Sequence, residues 1–97
     1  MKSVFVVFNQ ANTEKVEYIL DLLGIRGFTW FQDVQGRGSV DGEPRQGTHT
    51  WPEMNSAVMA ILPDEMVEPL LQKVKLLDEQ NKEIGVRAFV WNIEQSI

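Results

Sequence analysis

Ser3-Val4-Phe5-Val6-Val7-Phe8 is the stretch that decides the fold. Its β-branched and aromatic side chains fit a pleated strand. Nothing polar interrupts Val4–Phe8, so both faces of the strand are apolar and both call for cover. One other segment reads the same way, Ala57-Val58-Met59-Ala60-Ile61-Leu62 within a strand over Ser56–Leu62. Two doubly buried strands belong at the centre of a sheet, which leaves two weaker strands for its edges.

The remaining elements fall around this pair. Asn12 or Thr13 can cap a helix, and Val16, Ile19, Leu20 and Leu23 share one helical face. Gly24 follows as a stop signal, because glycine takes the left-handed conformation without strain. Phe28–Val34 alternates, with Phe28, Trp30 and Val34 on one side and Thr29 and Asp33 on the other, and reads as strand two. After the third strand, Asp64 is a candidate cap for a helix whose stripe is Val67, Leu70, Leu71, Val74 and Leu77. Pro69 sets two possibilities, a helix starting near Glu68 or one bent at the proline. Asn81–Gly85 is a polar turn and Val86–Ile93 a fourth strand. The order is βαββαβ. It predicts an α+β fold, a ferredoxin-like sandwich of a four-stranded antiparallel sheet with both helices on one face. Two helices cover only one face. The exposed half of the central apolar runs therefore predicts a second copy of the chain as cover, since a wet apolar sheet face is a large adhesive patch.

Composition narrows the function. Ninety-seven residues make one domain, residues 1–97, with 43% hydrophobic content and no cysteine. A formal charge of -5 without a Lys/Arg cluster argues against nucleic acid. The longest apolar runs are too short to span a bilayer, which argues against membrane insertion. The N-terminal stretch lacks the features of a signal peptide, so the cytoplasm is the expected address.

Residues 35–55 between strands two and three break every periodicity and form an abnormally long connection, where about four to six residues are usual. They carry Arg37, Arg45, His49, Trp51 and Met54, a set suited to contact with a partner. His49 with Glu53 or Glu43 could hold a divalent metal, particularly if several copies met, although one firm nitrogen donor per chain is short of a full ligand set. Arg37, Lys82 and Arg87 could bind an anion at a subunit cleft. Trp30 and Trp91 fall on strand positions and read as core or interface residues. Asp64, Glu65 and Glu68 suit a helix N-terminus, while Asp78, Glu79 and Glu83 read as a solvated acidic end. No nucleophile–base pair or spaced carboxylate pair appears, so the chain is not expected to be an enzyme.

Four segments resemble the PII signalling family and its PII-like relatives: Val4–Gly24 running through Ile25-Arg26-Gly27-Phe28-Thr29, then Val34-Gln35-Gly36-Arg37-Gly38, Ile61-Leu62-Pro63-Asp64-Glu65-Met66-Val67, and Gly85 before Arg87-Ala88-Phe89-Val90. The resemblance implies a trimer of ferredoxin-like subunits that binds a small effector in clefts between subunits. It makes residues 35–55 the T-loop, which contacts a protein partner. It places the effector on Gly36, Arg37, Gly38, Lys82, Gly85 and Arg87, and partner contact on Arg45, His49 and Trp51. Some PII-like proteins are encoded beside heavy-metal efflux pumps, and the related CutA family concerns divalent cations. These associations imply a membrane transporter as a candidate partner and metal sensing through His49 and Glu53 as the alternative function. The family's glycine-rich phosphate turn reads here Gln80-Asn81-Lys82-Glu83-Ile84-Gly85-Val86-Arg87, and its C-terminal arginines have no counterpart. On that ground the sequence predicts weak or absent ATP and ADP binding.

Overall fold

A computed structural model describes residues 1–35, 54–80 and 85–97. Strand β1 (Lys2–Asn9) runs through a short 3-10 turn (Gln10–Asn12) into helix α1 (Thr13–Leu22), followed by strand β2 (Thr29–Val34). Strand β3 (Asn55–Leu62), helix α2 (Asp64–Gln80) and strand β4 (Val86–Asn92) complete the βαββαβ order. The sheet order is β2-β3-β1-β4 with every neighbouring pair antiparallel. The two continuous apolar runs are thus the two central strands. They pair over their whole length, from Lys2 opposite Leu62 to Asn9 opposite Asn55. The chain has the α+β ferredoxin-like fold.

Alternation along the strands sorts the core. Val4, Val6 and Phe8 point to the helix side with Val58, Ala60 and Leu62. Val16, Ile19 and Leu20 of α1 and Val67, Leu70, Val74 and Leu77 of α2 complete that core. Trp30 packs on it edge-to-face against Phe8, with ring centroids 5.6 Å apart.

Helix α1 ends in a Schellman motif. The Ile25 N–H donates to the Leu20 carbonyl at 2.9 Å and the Gly24 N–H to that of Asp21 at 3.0 Å. This geometry needs a left-handed residue, and Gly24 supplies it at φ 72°. Ile25 then turns back into the core beside Leu20.

Three local expectations are corrected. Asn12 makes no side-chain cap; instead the Asn9 carboxamide accepts from the Ala11 N–H at 2.7 Å and caps the 3-10 turn ahead of α1. Helix α2 does not begin near Glu68 but at Asp64, with Pro69 inside it. The proline leaves the exposed Glu65 carbonyl without its intrahelical donor, and water can serve a carbonyl on that surface. Val34 does not share a face with Trp30. Pairing runs in register from Thr29–Met59 to Phe31–Ala57, then resumes at Val34–Asn55, so Gln32 and Asp33 together oppose Ser56. This extra residue is a β-bulge, and Asp33 takes it up in the left-handed region at φ 56°.

Candidate functional site

Two stems frame the segments that the sequence singles out. The first flanks residues 36–53. Asp33, held left-handed by the bulge, accepts a hydrogen bond from the Gln10 side-chain amide. The Gln10 backbone N–H donates to the Met54 carbonyl at 2.9 Å. The residue after β1 therefore ties together the end of β2 and the approach to β3. Gly36, Arg37, Gly38, Arg45, His49, Trp51 and Glu53 all lie outside the described residues, so the metal candidates His49 and Glu53 do too. Among the described residues, no group of three or more His, Cys, Asp or Glu is placed to hold a metal.

The second stem joins α2 to β4 around residues 81–84; Lys82 lies outside the described residues. Gly85 adopts φ 77°, which a side chain would strain. Directly after it, the Val86 N–H donates to Asp78 Oδ1 at 2.9 Å. The Arg87 guanidinium reaches the same oxygen at 3.2 Å and also donates to the Val86 carbonyl at 2.9 Å. Of the six residues expected to bind an effector, the described ones, Gly85 and Arg87, are two residues apart at this stem. Next to the left-handed Gly85, the Val86 N–H and the Arg87 guanidinium meet at one carboxylate oxygen, and two such donors can also serve an anion from solution.

Asp78 is the residue that sequence reasoning missed. It is no solvated acid but the acceptor that closes the stem, with its side chain only 26% exposed. A signal existed: a carboxylate in the last turn of a helix opposes the dipole there and calls for donors of its own. Asp64, at the other end of α2, behaves as expected of an acid in a first turn. A hydrogen bond from the Met1 amino group at 3.0 Å, then the charges of Lys2 and of that amino group, hold its carboxyl below the ordinary value.

The face of the sheet away from the helices carries Phe5, Phe31, Met59, Ile61, Phe89 and Trp91. Phe5 and Phe31 meet edge-to-face across it at 6.2 Å. Phe31, Ile61, Phe89 and Trp91 are each at least 39% exposed in the single chain. Trp91 is therefore not a core residue.

The chain is thus a ferredoxin-like subunit, with two helices on one face of its sheet and exposed apolar side chains on the other. The family model for nitrogen regulatory protein P-II matches residues 1–97, and the chain belongs to that family. Among solved structures, it is similar to CPII, a nitrogen regulatory PII-like protein from Thiomonas intermedia bound to ADP, AMP and bicarbonate. That likeness has 24% identity and a TM-score of 0.77, covering 95% of this chain and 84% of that one. A second CPII structure, bound to ADP and bicarbonate, is 25% identical with a TM-score of 0.77 and the same coverage. A PII-like signalling protein from Thermus thermophilus is 24% identical with a TM-score of 0.64, covering 95% of this chain and 85% of that one. No curated protein matches.

These structures correct the expectation of weak or absent ATP and ADP binding. PII-like neighbours of this fold are bound to ADP and AMP. Residues 80–87 depart from the family's motif, but a motif is not the same thing as the ability to hold phosphate. Phosphate needs converging N–H groups and cations, and many sequences can supply these.

Proposed function

We propose that the chain is a PII-like regulator that binds an adenine nucleotide in clefts between subunits and signals to a protein partner. The observation that carries this reading is the stem at Gly85–Arg87. Its backbone N–H and guanidinium already converge on a single anionic oxygen, the arrangement a phosphate requires. The ADP- and AMP-bound CPII structures give the class of ligand. Gly85 and Arg87 supply one wall of the site, and Gly36, Arg37, Gly38 and Lys82 are assigned to it with them. The whole of 1–97 acts as one domain, a non-catalytic one, working in the cytoplasm.

The apolar sheet face supports assembly of the chain as a homotrimer, which would create the clefts. The 35–55 segment is the T-loop, and Arg45, His49 and Trp51 make the partner contact. Binding energy at the cleft would reach the partner through the Gln10–Asp33 stem, which fixes where that segment leaves the sheet.

Calorimetric titration with ADP, ATP and AMP tests the proposal. The expected result is saturable binding of at least one of them with Kd on the order of 1–100 μM. Absence of binding at millimolar nucleotide overturns it.

A further inference from the structure

We propose that Asp78 is an internal anion that occupies the phosphate donors, so that a nucleotide phosphate binds by displacing it. This rests on the reading of Gly85–Arg87 as the phosphate wall.

The geometry is that of a filled anion site. One carboxylate oxygen, Asp78 Oδ1, takes both the Val86 N–H and the Arg87 guanidinium. These are the donors that an incoming phosphate would need, and both are engaged. Arg87 makes a further hydrogen bond to the Val86 carbonyl, which folds the guanidinium back along its own strand. Its side chain is nevertheless 55% exposed, so solvent and ligand can reach it.

The position of Asp78 favours exchange over permanence. It lies in the last turn of α2, where the carbonyl end of the helix repels a carboxylate. The pair is also partly exposed, and such pairs are weak. A phosphate brings more charge and more acceptor oxygens to the same donors, so it can win the exchange. Asp78 then acts as a competitor built into the chain. It sets a threshold of nucleotide concentration and keeps Arg87 from collecting weaker anions. It also couples occupancy to the end of α2, because the displaced carboxylate gives up its hydrogen bonds to β4.

Three proteins and two probes test this. Asp78→Asn keeps an acceptor for the Val86 N–H but loses the charge that holds Arg87. It is expected to tighten ADP binding by about two- to fivefold, the range a partly exposed ion pair commands. It should leave any binding of adenosine, which has no phosphate, unchanged. Arg87→Ala should weaken ADP binding. If Arg87→Ala weakens it while Asp78→Asn leaves it unchanged or weakens it too, the internal-anion proposal falls and the phosphate wall stands. If Arg87→Ala has no effect on ADP, the wall itself is misassigned and the proposal falls with it. Tighter adenosine binding by Asp78→Asn would also overturn it, since the gain would then not pass through phosphate. Thermal unfolding of both variants confirms that the folded chain is being titrated.

Discussion

The two faces of the sheet carry side chains of the same kind and end in opposite situations. Toward the helices, Val4, Val6, Phe8, Val58 and Ala60 are all at most 2% exposed. On the other face Ile61 at 41%, Phe89 at 54% and Trp91 at 45% stand in solvent, and Phe5, Val7 and Met59 are only half-buried, although Ser3 and Ala57 are covered. One face is satisfied by the chain itself and the other is not. Identical strands are thus asked to stabilise two different things, the subunit and its association.

The comparison is broken most severely on the covered side. Leu70 is 2% exposed among residues from both central strands and both helices. Leu70→Ala should cost about 2–5 kcal/mol through lost burial and the cavity left behind. Urea denaturation reads this directly. A loss below about 1 kcal/mol would show that the helix layer is not the anchor of the subunit.

A change of equal chemical severity on the bare side should act on assembly alone. Phe89→Glu places a charge on the edge-strand side of that face, opposite Phe5 of central β1. It is expected to give a monomer by analytical ultracentrifugation with the helical circular dichroism retained. The apolar contribution removed is about 1.5–3 kcal/mol per subunit, the value of burying one Phe side chain. An unchanged oligomer would mean that this face is not the contact.

How much of this could be read from the residues depends on how local each determinant is. The central place of β1 and β3 follows from unbroken apolar runs, and the stop at Gly24 from one residue type. The side on which Val34 falls could not be read, because alternation is a counting argument and the left-handed Asp33 inserts one residue into the count. Pro69 left two possibilities that the sequence could not separate: one missing hydrogen bond does not outweigh the burial of Val67 and Leu70 on either side of it, so the helix runs through the proline from Asp64. Asp78 was hidden because its partners lie 8 and 9 residues away, beyond a turn whose shape the letters do not give. The nucleotide inference failed for a related reason. A motif is a string of letters, whereas phosphate responds to where donors end up in space.

The smallest effect sharpens the contrast between the faces most closely. Ser3 lies on the bare side of β1, between Ile61 and Trp91 in register, yet it is only 1% exposed. The larger neighbours shield it within the single chain, and its Oγ has no hydrogen-bond partner. A buried hydroxyl without a partner carries a desolvation cost that a methyl does not. In a Phe89→Glu background, where the chain is expected to be monomeric, Ser3→Ala should therefore raise stability by about 1 kcal/mol. In the assembled protein the same change should gain less or turn unfavourable, because a second copy seated on this face can offer the hydroxyl an acceptor. Paired denaturation curves in the two backgrounds measure the difference. If Ser3→Ala destabilises the monomer, the hydroxyl is satisfied within the subunit, and the bare face is less dependent on a partner than its exposed aromatic residues indicate.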